Sequence, residues 1–213
     1  MGGTGLRWTQ AVTRLGGRDD IASASAAELE QRYAEPHRSY HTLAHVEAVL
    51  RDAAWLEDRL GLDADERALV DIAACAHDVV YAGRSGEDER ASASWARRRL
   101  AECGVAEQHV ETVARLVLAT IDHRATDGDH PAAVLLDADL AVLGSSAGDY
   151  ARYVLAVRRE YAAVPADQWR IGRAAVLTGL LAHPQLFHSA PARSRWADAA
   201  RRNLTAELAA LTG

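Results

Sequence analysis

The sequence predicts an all-α protein, a single helical bundle of roughly eight to ten helices. Apolar residues recur at helical spacing along nearly the whole chain, and no segment alternates apolar with polar residues as a half-buried strand does. Breaks rich in Gly, Pro, Ser and Asp divide the chain into pieces of ordinary helix length.

The elements follow in order. "SASAAELEQRYAE" has a capping-box pattern, with Ser25 as the cap and Glu28 three residues on. A helix over 42–60 stops at Gly61. Asp63 or Asp65 then opens "ADERALVDIAACAHDVV", which turns wholly apolar toward its end and so runs into the centre of the domain. Gly83 and Gly86 break the chain. Further helices are expected over 87–103, 106–122, 131–143, 147–163, 167–182 and 192–211. Gly104, "TDGDHP", "GSSAG", "VPAD" and "HPQLFHSAP" separate them. With no repeat, low-complexity tract or linker, residues 1–213 are expected to form one domain.

Composition narrows the function. The net charge is −6 and all 24 basic residues are arginine. No lysine means no Schiff base and no P-loop lysine. The acidic balance argues against duplex nucleic acid, although arginine's planar fork can still bind a small phosphorylated ligand. Two cysteines, Cys75 and Cys103, make no disulfide framework and suit a reducing, cytoplasmic setting. No apolar run reaches the roughly 20 residues of a membrane span. "MGGTGLRW" lacks both a signal-peptide core and the Ser/Thr of a myristoylation site.

Three stretches carry residues suited to chemistry. In "AACAHDVVY", His77 and Asp78 follow an apolar run, and burying both is costly unless something compensates them. A divalent metal would compensate both, since imidazole nitrogen and carboxylate oxygen suit zinc, manganese or iron. A His–Asp hydrogen bond at a helix end is the plainer explanation. In "LLDADLAVLG", Asp137 and Asp139 are two apart, about 200° around a helix, and cannot face one metal. One is expected at a helix entry or the surface; the other is a buried ligand or a satisfied core acid. In "YHTLAHVEAVL", His41 and His45 are four apart and share a helix face, so one can bind metal while the other faces a substrate. A lone histidine there is ordinarily a core or boundary residue. That explanation weakens when His41, His45, His77, Asp78 and Asp139 must each be excused independently.

The ordered set His…His-Asp…Asp on an all-α chain resembles the HD superfamily of metal-dependent phosphohydrolases. The segments "YHTLAH", "LGLDADERALVDIAACAHDVVY", "DERASA", "LLDADLAVLG" and "RREY" resemble in particular its bacterial subgroup of predicted metal-dependent HD phosphohydrolases. The likeness covers about 30–190, with a C-terminal helix over 192–211 packed on that core. It implies a site of His45, His77, Asp78 and Asp139 around one divalent ion, with Mn, Mg, Ni, Zn and Fe all suited to the donors. Asp78 would bridge to a second ion where two are bound. His45 rather than His41 matches the family's first ligand, through Val49 and the distance to Leu60-Gly61. In the similar "YHNxxHA" stretch of cyclic-nucleotide phosphodiesterases the first histidine is the general acid and the second binds metal. By that likeness His41 protonates the leaving oxygen and Asp78 belongs to the catalytic set.

The resemblance further implies His123 as a second-metal ligand or phosphate contact. Arg84 and Arg158 could reach a phosphate, with the surface the plainer place for Arg84, and Arg158, Glu160 and Tyr161 match the subgroup's R-x-E-Y, in which an Arg–carboxylate pair would either close the pocket or pack two helices together. Glu89 is expected near the site, His130 on the surface, and His37, His183 and His188 in structural roles. Two departures stand out. "HDVVYAG" lacks the acid that several nucleotidase branches place soon after the pair, and Ala82 stands where stringent-response hydrolases carry an aspartate. The implied activity is hydrolysis of a phosphomonoester or phosphodiester of a small molecule, a nucleotide being one option, in a chain that a homodimer would suit. A di-iron oxygenase on the same scaffold is an alternative, with His109, His123 and His130 as extra candidates. So is a non-catalytic ligand-binding protein.

Overall fold

The computed structural model describes residues 2–212. Among them are ten α-helices, one short 3-10 helix and no strand. Helix α1 (Gly3–Arg14) was not foreseen, because its glycine-rich start disguises a helical spacing of Trp8, Val12 and Leu15. Those residues are buried, and the Trp8 ring lies 5.3 Å from that of Trp95. Helix α2 (Asp19–Tyr33) begins six residues before Ser25, so the expected capping box there is wrong. Asp19 and Asp20 complement its N-terminal dipole instead. Ser25 is interior, where its hydroxyl accepts the Trp8 indole N–H at 2.9 Å and donates to the Ala22 carbonyl.

Helix α3 (Leu43–Leu60) ends at Gly61, whose φ of 70° a side chain would disfavour. Asp63 caps α4 (Ala64–Ala76) and closes a capping box with Glu66. Helix α4 is the central element, as its apolar run indicated, and packs on α1, α3, α5 (Glu87–Glu102), α6 (Glu107–Ala119) and α7 (His130–Asp139). The stretch expected as one helix over 131–143 divides at Leu140, where α7 tightens into the 3-10 helix Leu140–Gly144. Helices α8 (Ala147–Glu160), α9 (Ala166–Ala182) and α10 (Ala190–Thr212) complete the chain. A Cβ on Gly144 would stand 2.7 Å from the Trp196 carbonyl oxygen, so glycine lets α10 cross directly on the 3-10 helix. Helix α9 buries only Arg173 and Leu177. Arg173 fastens it to α10 through Glu207 at 2.8 Å, with both side chains under a tenth exposed.

The buried apolar side chains form a continuous core from α1 to α10. Cys75 and Cys103 are free and buried, and Cys75 lies at the α1–α4 seam, where its thiol contacts the Thr4 carbonyl. No single described helix is long and apolar enough to cross a membrane.

Candidate metal centre

The first turn of α3, the residues ending α4 and the last residue of α7 meet at one point. His45, His77 and Asp139 each offer a ligand atom there, all within 4.8 Å of one another. His45 Nε2 is 3.1 Å from His77 Nε2 and 3.2 Å from Asp139 Oδ1. Asp78 adds a second carboxylate, its Oδ2 lying 3.0 Å from His77 Nε2 and 3.5 Å from His45 Nε2. The two imidazoles are buried and the carboxylates less than a fifth exposed.

The fit to a cation is in the donor set. Two imidazole nitrogens and two carboxylates suit a divalent ion of the transition series. His77 Nδ1 lies 2.8 Å from the Ala74 carbonyl, which can only accept, so Nδ1 carries a hydrogen and Nε2 is the nitrogen that faces the cluster. Burial alone would pull both histidines toward the neutral form, yet the two aspartates outweigh it and raise both above the usual imidazole range. Burial likewise pushes Asp78 and Asp139 upward, and the surrounding histidines override it and hold both well below the usual carboxylate range. The centre therefore holds its carboxylates ionised, and a cation binding there would displace the protons that the two histidines favour in its absence.

His123 reaches the far oxygen of Asp139, Nε2 to Oδ2, at 3.0 Å. Its φ of 52° is the one positive value outside glycine among the described residues. This turn after α6 is held by the His123 amide donating to the Ala119 carbonyl and by His188 Nε2 on the His123 carbonyl, 2.9 Å. His188, expected to be structural, thus supports a site residue from behind. His37 does the same for Tyr81, Nε2 to carbonyl at 2.7 Å.

His41 stands apart from the cluster, with Nε2 4.0 Å from Asp78 Oδ2. Its ring stacks on Tyr81 with centroids 4.0 Å apart. Its Nδ1 lies 2.7 Å from Glu160 Oε2, and a carboxylate that accepts there directs Nε2 toward the cluster. Glu160 Oε1 accepts the backbone N–H groups of Ser39, Tyr40 and His41 at 2.8, 2.7 and 2.9 Å. Burial would raise this carboxyl, but His41 and the amides hold it down at about 2. The Glu160–Arg158 pair that the R-x-E-Y pattern implies does not form. The structure pairs Glu160 with His41, 119 residues away, and no local signal announced that contact.

Two cavities flank the centre. One, of about 520 Å³, is lined by His41, His77, Asp78, His123 and Asp139 on one side and by Tyr81, Tyr161, Val164 and Trp169 on the other. The second, of about 770 Å³, reaches His45 and the other edge of Asp139. Tyr40 and Tyr153, with ring centroids 4.7 Å apart, line both and divide them.

Several expectations need correction. Arg158 does not pair with a carboxylate at the pocket. It donates to the Tyr161 and Val164 carbonyls and lies over the Trp169 ring, clamping the α8–α9 turn. Arg84 lines the first cavity with its side chain 63 % exposed and paired with Glu87 at 3.1 Å, in keeping with the surface position expected for it. Neither Asp137 nor Asp139 is at the surface. Asp137 is fully buried and accepts the His188 and Ser189 amides at the start of α10, while Asp139, on the other side of α7, joins the cluster. Glu89 lines the cavity and also accepts the Gly86 amide. His130 is exposed at the start of α7 and His109 lies on α6, so of the three extra histidines only His123 contacts the centre.

Searches of protein-family models, curated proteins and solved structures return no match to the chain.

Proposed function

We propose that the chain is a metal-dependent phosphohydrolase of the HD type, acting on a phosphomonoester or phosphodiester of a small molecule. The observation that carries the reading is the convergence of His45, His77, Asp78 and Asp139 at the wall of a cavity, with His41 beside them and outside the ligand set. A bound divalent ion would polarise the phosphoryl group and make a water acidic enough to attack near neutral pH. His45, His77, Asp78 and Asp139 would hold one such ion, and His123 would serve the outer oxygen of Asp139 or a second ion.

The chain's own groups divide the remaining work. His41 faces the cavity through Nε2 and, as the imidazolium with a proton on each ring nitrogen, would give its Nε2 proton to the departing alkoxide. Glu160 fixes the hydrogen of His41 on Nδ1 and anchors the 39–41 backbone, so the donor arrives already oriented. Tyr81 supports the imidazole face and limits water behind it. Manganese, magnesium, nickel, zinc and iron all suit the donors, and metal analysis of the purified protein decides among them.

The test is release of inorganic phosphate from a panel of mono- and diesters with each of these metals, beside the melting temperature. Metal-dependent turnover lost on chelation supports the reading. Stoichiometric iron with oxygen uptake and no ester cleavage would replace it with an oxygenase. An ion at a thousand times its Kd should stabilise the fold by about 4 kcal/mol, read as a rise in Tm that chelator reverses.

A further inference from the structure

Helix α7 sends its two aspartates to different sides, and a chain of hydrogen bonds joins them again through two histidines. Asp137, fully buried, accepts the His188 amide on Oδ1 at 2.6 Å and the Ser189 amide on Oδ2 at 2.8 Å. Phe187, fully buried next to them, and Arg193, which donates to the His188 carbonyl, fix the same segment. With its backbone held in this way, His188 turns its ring to the loop after α6, where Nε2 lies 2.9 Å from the His123 carbonyl. That carbonyl can only accept, so the His188 Nε2 carries a hydrogen.

His123 completes the chain. Its φ of 52° is disfavoured for a residue with a side chain and persists only where the surroundings impose it. Two hydrogen bonds do so: its amide donates to the Ala119 carbonyl at 3.0 Å, and its carbonyl accepts from His188. In this conformation His123 Nε2 lies 3.0 Å from Asp139 Oδ2. With Oδ2 engaged, Oδ1 is the oxygen that faces the Nε2 atoms of His45 and His77, at 3.2 and 3.5 Å. A carboxylate turns readily about its terminal torsion, so a donor outside the centre fixes which oxygen points in.

We propose that His188 is a positioning residue of the metal centre. Seated on Asp137, it fixes the His123 backbone so that His123 donates to the outer oxygen of Asp139 and leaves the inner one for a divalent cation. His123 then supports a ligand and is not itself one. This role rests on the metal-dependent reading for the cation alone, and not for the reaction.

Metal affinity is the decisive measurement because it needs no turnover. Manganese and zinc are titrated calorimetrically, each in turn, into the metal-free protein. His188→Met keeps a side chain of similar length and removes the donor. It should weaken binding by about 10- to 100-fold, the scale of losing a group that orients a metal ligand. His188→Gln returns an N–H at about the position of Nε2 and should bind within about threefold of the wild type. His123→Ala should lose as much as His188→Met. The double variant should be no more than about twofold weaker than either, because the two histidines act in series. A purely structural His188 would lower the melting temperature of metal-free His188→Met and leave its metal affinity at the wild-type value, which overturns the proposal. Equal affinity of His188→Met and His188→Gln, or losses that multiply in the double variant, would overturn it too and leave the metal centre standing. No binding of either ion by the wild type would remove the centre and the positioning role together. Ester cleavage, assayed on the same samples, reports separately on the phosphohydrolase reading. Metal binding with the expected ratios and no cleavage would retain the role of His188 and remove the activity.

Discussion

Helices α3 and α4 share two clusters of buried acid, and the clusters solve the same electrostatic problem differently. Toward one end, Asp78 meets His45 and His77 beside a cavity. Toward the other, Glu57 and Asp71 face Arg7 of α1 and Arg67. Arg7 Nε is 2.9 Å from Asp71 Oδ2 but off the hydrogen-bond axis, and Arg67 Nη1 is 3.8 Å from Glu57 Oε2. One oxygen of each acid has no partner. At the centre, imidazoles outweigh burial and the carboxyls fall well below their usual range. At the seam, burial wins, so Asp71 is raised and Glu57 is pushed up to about 7. Buried acid alone therefore does not mark a site. What distinguishes the centre is convergence of ligand-type nitrogens with carboxylates held ionised, next to a cavity.

The comparison breaks most sharply if the centre behaves like the seam. Asp78→Ala, His77→Ala and His45→Ala should each abolish metal binding, read by metal content after dialysis. Each should cut phosphate release by more than ~1,000-fold, the scale of losing a central catalytic group. His41→Ala should keep the metal and lower kcat by about 10²- to 10⁴-fold, as removal of a general acid does. Loss of metal in this variant instead would move the first ligand one helical turn toward the N-terminus. Glu160→Gln should lower kcat by about 10- to 100-fold with metal retained, the scale of an orienting partner. Partial recovery in Glu160→Asp and a displaced pH–rate profile would separate orientation from mere folding.

The seam gives the smallest effect, and its sign is fixed by linkage. A carboxyl whose folded pKa lies above its unfolded value holds more protons when folded. Its contribution to stability is therefore greatest below about 4.5 and falls as pH rises toward about 7. Glu57→Gln should leave stability at pH 4.5 unchanged and raise it at pH 8 by roughly 1–2 kcal/mol, measured by denaturant titration at both pH values. Equal stabilisation at both would mean that a packing change, not ionisation, dominates the seam.

The two clusters were unequally legible in the sequence. The helical class followed from periodicity, and Gly61 and Asp63 marked the α3–α4 junction because glycine and aspartate act locally. His77-Asp78 after an apolar run was legible for the same reason. The 200° between Asp137 and Asp139 correctly placed them on different sides of a helix, but not the burial of both, since what covers Asp137 is the start of α10, 51 residues on. Glu160 was invisible as the partner of His41, and His188 as the support of His123, because each role exists only once distant helices meet. Helix α1 was hidden by a glycine-rich start that tertiary burial of Trp8 overrides.

The two free cysteines make local opening of this molecule countable. Cys75 sits under α1, and Cys103 closes α5 at its turn into α6, both shut away from solvent. A thiol reagent can label Cys75 only when the α1–α4 seam parts and Cys103 only when the α5–α6 turn loosens. The ratio of the two labelling rates thus separates an excursion at the Glu57–Asp71 end from one elsewhere. The same ratio, taken with and without metal, shows how far the grip of the centre extends along α4.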